Sequence, residues 1–441
     1  MPRRIHDGVL HAKVRELVED AFPIVEQSVQ KNLREEAQAP GMALAIARDA
    51  IQQVLPELRS LKTFTESMTA LSADETVSRH LNRVIWDGFH GVAIDSELCL
   101  TTILINTWAK SIATREDART LFGREYEDME RFFYSDTLEQ RCLAKLRGLT
   151  ADFDSLVLGD FTVRKIDDAD RTDLSQLSME PEDPFFEPKY LVERELRHRK
   201  NILNPGEPAT SEDDSELFTD FETSLRLLKE GNVRVSQWIL FKPLYWPERG
   251  TSHGLGTFGG HPPPSIEYVL EKYDEASVRA ILKLLAQSRP YLRGSLGVAL
   301  RRFNSANERL KDEDRLLDLI IAMEALLLRG DEQNELGFRF ALRGTALISD
   351  KKIRKEIFSN LKSAYDLRSR IVHGEREHSI NKLLKRLREK NGLDMSLSTF
   401  TQSIENIARR LIVDYARLRR TVDFDEGVIA ELDDRVLRHL T

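Results

Sequence analysis

Tyr365-Asp366-Leu367-Arg368-Ser369-Arg370-Ile371-Val372-His373-Gly374 is the chemically densest stretch of the chain. An arginine and a histidine stand with four residues between them at what reads as the closing turn of a helix, and Gly374 is placed to stop it. Upstream, Ile353, Ile357, Leu361, Ala364, Tyr365 and Leu367 recur at helical spacing, so residues 351–372 are predicted to form one helix with these side chains inward. Further out, residues 335–348 read as a helix softly broken by Gly344. Residues 314–329 are almost wholly apolar (Leu316, Leu317, Leu319, Ile320, Ile321, Ala322, Met323, Ala325 to Leu328), a helix that must be buried on most sides. Downstream lie a short basic helix over 380–390 and a last long helix over 397–420, with Ile404, Ile407, Leu411, Ile412, Tyr415 and Leu418 on its stripe. Two further helices are expected over 266–286 and 293–309, which makes residues 265–441 a helical bundle.

The remainder divides in two. Residues 1–148 are expected to form a helical domain, with Val14, Leu17, Val18 and Ala21, then Ala43, Ala45, Ile46, Ala50, Ile51, Val54 and Leu55 at three- and four-residue spacing. Pro40-Gly41 breaks its first two helices, Ser72 reads as a helix cap with Glu75 three residues on, and the apolar stretch from Trp86 to Trp108 should be its core. Over 149–264 the grammar changes to a small α+β unit. Ser155–Leu158 and residues 161–166 flank Gly159-Asp160 as a predicted hairpin, strands are expected over 189–196 and 233–245, and a helix over 215–229. The polar loop 201–214 follows the first of these strands. The loop 246–264 carries His253 and His261, readable as metal or phosphate ligands but better as a surface loop. The fold class is therefore mainly α.

With 441 residues, 41% hydrophobic and 31% charged, the chain has ample material for several cores, and a formal charge of −8 argues against a surface that coats nucleic acid everywhere. Any polyanion site must be a local basic patch. Cys99 and Cys142 are far apart and offer neither a disulfide framework nor a zinc site, which fits a reducing cytosol. No apolar run of signal length follows the basic start, and none reaches membrane-spanning length, so a cytoplasmic protein with no membrane association is expected. Phosphate-binding loops, dinucleotide fingerprints, nucleophile elbows and His-Glu-x-x-His zinc motifs are absent. Carboxylates such as Asp312, Glu313, Asp314, Asp433 and Asp434 read as solvated.

Arg368 and His373 differ in kind. An imidazole can take or give a proton near neutral pH and a guanidinium can hold a phosphate with two donors. Together they suit phosphodiester cleavage without a metal or other cofactor, His373 as general acid or base, Arg368 stabilising phosphoryl charge and Ser369 orienting the ring or touching the phosphate. The plainer reading of the pair is charge placed against a helix dipole. On an unbroken helix, residues five apart diverge by about 140°, so the pair converges only if the helix frays, if the arginine reaches around, or if a second chain supplies the partner. Glu324, in the most apolar helix, is expected to pair with Arg343 or Arg368. Lys382, Lys385, Arg386 and Arg388, with Arg370, are candidates for RNA backbone, or simply a solvated face.

Ala322-Met323-Glu324-Ala325-Leu326-Leu327, the stretch Arg339 to Ile348, and Tyr365 to Gly374 resemble, in order and spacing, the signature stretches of the Apea-like branch of the HEPN domains. The resemblance covers about residues 293–441. It implies a bundle that dimerises so that two Arg-x4-6-His motifs line one cleft, typically a metal-independent ribonuclease of toxin–antitoxin, abortive-infection or antiviral systems. Arg368 and His373 carry over as its catalytic candidates, with Ser369 after the arginine as is usual in that branch, and Glu324, Arg343, Tyr365 and Asp366 in support. The expected partners are RNA, a second copy of the chain or a higher even oligomer, and a regulatory protein. The alternatives are a catalytically silent module that binds nucleic acid or a protein, and a nucleotide-binding toxin half silenced by modification near the motif.

Overall fold

The computed structural model describes residues 5–35, 43–86, 91–167, 170–171, 188–208, 217–236, 238–247, 252–255, 267–348, 350, 352–373, 380, 382–385, 396–422 and 424–440. They are mainly α and fall into two compact units, Met1–Cys142 with Glu195–Asp213 and Phe241–Ser252, and Leu143–Arg194 with Asp214–Leu240 and His253–Thr441.

In the first unit the helices are Gly8–Glu35, Ala43–Ser60, Lys62–Ala73, Glu75–Ser78, Ser96–Thr114 and Ala118–Tyr134. Their apolar stripes meet in one core in which Val14, Ala47, Ile51, Leu100, Ile103 and Trp108 are buried. Asp95 starts the fifth of these helices by accepting the Leu98 N–H at 2.7 Å, and Arg115 ends it in the left-handed region. The all-helical expectation fails at Arg83–Trp86 and Gly91–Ile94, an antiparallel pair that Asn201–Leu203 extends. Strands of four residues are too short to show a period of two against helical neighbours. Thr137–Arg147, whose residues from Leu143 on belong to the second unit, is also a strand; Leu138, Gln140, Cys142, Ala144 and Leu146 are buried alternately, but polar Gln140 and buried Leu143 hide the pattern. The helix cap is Asp74, which accepts the Val77 N–H at 2.7 Å, while Ser72 donates back to the Met68 carbonyl. Pro40-Gly41 lies outside the described residues.

In the second unit Ser155–Leu158 and Phe161–Lys165 form the expected hairpin, with Leu158 opposite Phe161 and Gly159 at φ 69°, a conformation that favours glycine. Tyr190 to Arg194 pairs with its second strand. Of the helix predicted over 266–286, residues 275–286 are helical, within Glu275–Ser288, but the start is a strand, Tyr268–Leu270, parallel to Leu149–Ala151. Buried Tyr268 donates its hydroxyl to the Leu225 carbonyl at 2.9 Å, and reciprocal bonds between Glu271 and Asp274 close the chain into the helix.

The bundle comprises Ser295–Ala306, Asp312–Leu327, Leu336–Leu347, Arg354–Val372, Leu397–Arg419 and Asp425–Leu440. Leu316, Leu319, Ile320, Met323, Leu326 and Leu327 are fully buried, each stabilising the fold by roughly 1.5–3 kcal/mol relative to exposure. Gly344 does not break its helix. A Cβ there would fall 2.5 Å from Leu361 Cδ1, so the glycine is what lets the 336–347 and 354–372 helices approach. The last helix, 425–440, lies beyond the final one expected and buries Val428, Ile429 and Leu432. No helix of the described residues is long and apolar enough to cross a membrane.

Candidate functional site

The 354–372 helix buries Ile357, Leu361, Ala364 and Leu367 in the bundle core and carries the motif in its last turns. Its hydrogen bonding continues through the His373 N–H, which donates to the Ser369 carbonyl at 3.1 Å. The helix therefore does not fray before His373, and the divergence of about 140° between Arg368 and His373 stands. Two groups of side chains result.

The first faces the 312–327 helix. Arg368 Nε lies 3.7 Å from Glu324 Oε1, so of the two partners open to Glu324 the structure selects Arg368. That separation is an ion pair without a good hydrogen bond, and the Arg368 side chain keeps 34% of its surface exposed. Burial pushes the Glu324 carboxyl above its ordinary value, with Arg368 opposing. Tyr365 lies beneath the guanidinium, whose carbon is 5.9 Å from the ring centroid, and its hydroxyl is pushed up by burial and by Glu324. The ring is wedged against Gly337, where a Cβ would fall 2.9 Å from Tyr365 Cδ1, and against Phe340 at 5.6 Å between centroids. Arg368 thus rests on a fixed aromatic platform beside one carboxylate.

The second group follows from helical geometry. Asp366, Ser369, Arg370 and His373 lie at i, i+3, i+4 and i+7, within about 60° of the Asp366 direction. Asp366 and His373 are exposed and Ser369 and Arg370 half-buried. Arg370, expected to hold RNA, therefore shares the face of His373, and Arg368 does not. Lys382 and Lys385 are exposed; Gly374, Arg386, Arg388 and His261 lie outside the described residues, and His253 falls in the strand Ser252–Leu255.

Arg343 serves elsewhere. It is 3% exposed, and all five of its N–H groups are used: Nε and Nη2 donate to Asp433 at 2.7 and 3.0 Å, Nη1 and Nη2 to Glu332 at 2.8 and 2.7 Å, and Nη1 to the Leu327 carbonyl at 3.0 Å. Arg343 beside it holds the Glu332 carboxyl down at about 2, with Arg339 and the Arg329 N–H adding hydrogen bonds. Sequence reasoning missed this clamp. Asp433 read as solvated because its helix had not been recognised, although Val428, Ile429 and Leu432 beside it keep helical spacing.

Comparison with known proteins adds no relative: no family model, no curated protein and no solved structure matches the chain.

Proposed function

We propose that this chain is an endoribonuclease of the HEPN type, acting as a homodimer in which His373 of one copy and Arg368 of the other meet at one scissile phosphate. The observation that carries the reading is the state of Arg368. A guanidinium kept one-third exposed, on an aromatic platform and 3.7 Å from a single carboxylate, is oriented yet retains donors for a phosphate. A purely structural arginine in the same bundle, Arg343, has none left.

In this mechanism His373 Nε2 or Nδ1 takes the proton of a ribose 2'-hydroxyl, whose oxygen attacks the adjacent phosphorus. The bond to the 5'-oxygen breaks, and the imidazolium of the second copy returns a proton to that leaving group. Arg368 stabilises charge on the non-bridging oxygens. The products are a 2',3'-cyclic phosphate and a free 5'-hydroxyl. The divergence on one helix is the reason for a second copy. Arg370, Lys382 and Lys385 supply positive charge for the flanking backbone. The role is that of a defence or toxin effector damaging RNA.

The test is cleavage of RNA in the presence of EDTA by the purified chain and by Arg368→Ala and His373→Ala, alone and mixed. Each variant is expected to lose about 10²–10⁴-fold in rate. Mixing the two should restore part of it, because a mixed dimer regains one His373–Arg368 pairing and lacks only the second imidazole, whose proton water then supplies to the leaving group. Equal cleavage by wild type and variants sinks the nuclease reading. RNA binding without cleavage by wild type selects the silent module instead.

A further inference from the structure

A formal charge of −8 confines any polyanion to a local basic patch, and the 275–288 helix carries one. On one flank a cavity of about 280 Å³ opens toward the 155–165 hairpin, and its lining carries Arg194, Arg279, Lys283 and Arg289 against Asp160 and Asp220. On the other flank a cavity of about 330 Å³ opens toward the end of the 397–419 helix, where Lys283, Arg417 and Arg420 line it with no carboxylate among the described residues. Lys283 is common to both. It stands on the ridge between them, with Arg279 about 40° to one side and Gln287 about 40° to the other.

Four of these six cations are oriented, and none is closed off. Arg194 donates Nη1 to the Leu217 carbonyl at 3.1 Å and lies over the Phe161 ring, 5.1 Å from its centroid, the same use of an aromatic platform as Arg368 on Tyr365. Arg279 directs Nη2 to the Val157 carbonyl and to Glu275, both at 2.9 Å. Arg289 and Arg417 each direct one nitrogen to a carboxylate, Asp220 at 3.1 Å and Asp414 at 3.0 Å. Each of these guanidiniums therefore keeps two of its three nitrogens without a hydrogen bond to a described residue, where Arg343 keeps none. Lys283 and Arg420 are exposed and make no hydrogen bond or ion pair with a described residue.

We propose that the 275–288 helix holds the backbone of a single-stranded RNA, with phosphates seated in the two flanking cavities and Lys283 bridging them. An arginine fork with open nitrogens meets two phosphate oxygens at once, and a groove of cations follows a strand whatever its bases. Asp160, Asp220, Glu275 and Asp414 offset four of the six charges, so the track should neutralise about two phosphates, chiefly through unpaired Lys283 and Arg420. The ligand is taken from the nuclease reading. The track adds where that substrate is held away from the motif helix.

Fluorescence anisotropy of the full chain with a labelled 2'-O-methyl oligouridine, which cannot be cleaved through its 2'-oxygen, measures the track apart from the chemistry. The double variant Lys283→Ala/Arg420→Ala should bind about tenfold more weakly than wild type and flatten the slope of log affinity against log salt by about 1.4. It should melt as wild type does, because neither side chain holds the fold. Lys62→Ala/Arg124→Ala removes the same net charge from exposed positions of the first unit and should bind as wild type does. With cleavable RNA the Lys283/Arg420 variant should raise KM about tenfold and leave kcat unchanged. If wild type binds the strand but cleaves no RNA, the track stands and the nuclease reading falls. If wild type cleaves RNA and the Lys283/Arg420 variant binds and cleaves like it, the track falls and the nuclease reading stands. Equal weakening by both double variants, or no binding of the strand by wild type, also overturns the track.

Discussion

Two arginines in one bundle are held in opposite ways. Arg343 is buried and spends every N–H on Glu332, Asp433 and a carbonyl, whereas Arg368 is partly exposed and touches one carboxylate at 3.7 Å. Residue type and helix are alike, and surroundings decide the use. A guanidinium closed on all sides fixes the fold, and one left open on one side can meet a ligand.

The largest effect should follow removal of the closed arginine. Arg343→Leu takes from Glu332 its strongest partner, leaving it Arg339 and the Arg329 N–H, and strips Asp433 of its guanidinium, and should cost about 3 kcal/mol in denaturant unfolding. Because the Glu332 carboxyl is held down at about 2, its contribution is complete above the ordinary carboxylate value and fades as pH falls toward 2. The wild-type stability profile should steepen in that window and the variant's should flatten there. Next comes Gly344→Ala, which drives a methyl to 2.5 Å from Leu361 Cδ1 and should cost about 1–3 kcal/mol in the same assay. Arg368→Ala should cost under about 1 kcal/mol, since a single partly exposed pair is lost. A loss as large as that of Arg343 would erase the contrast. The smallest change is expected of Glu324→Gln. Burial raises the carboxyl, so the ionised form weakens the fold above that raised value and protonation relieves it below. The amide should therefore leave stability equal or slightly higher at pH 8 and remove Glu324's part of the pH dependence, while the Arg368 guanidinium loses its anchor and, on the proposed function, RNA cleavage should fall about tenfold.

How far this was readable depended on period and length. The helices 312–327, 336–347, 354–372 and 397–419 were visible because each keeps apolar spacing over three or more turns, and the hairpin because Gly159-Asp160 separates two short apolar runs. Arg83–Trp86 and Tyr268–Leu270 were not, being too short to establish a period. At the site, Glu324 could be marked from its apolar neighbours, since a carboxylate there needs a cation. Choosing Arg368 over Arg343 could not, because the choice turns on Asp433 and Glu332 occupying Arg343 first. The face that His373 shares with Arg370 was implicit in helical geometry, and needed only the finding that the helix runs on to His373.

The clamp on Arg343 also has a history in time. Its two anions are made at very different moments: Glu332 precedes it by 11 residues, and Asp433 follows it by 90. At roughly 5–20 residues per second, a nascent chain waits about 5–18 s between arginine and aspartate. Through that interval the guanidinium has only one of its two carboxylates, and the 336–347 helix lacks the 425–440 helix that completes its surroundings. The clamp in the bundle that carries Arg368 and His373 therefore closes only after Asp433 has been made.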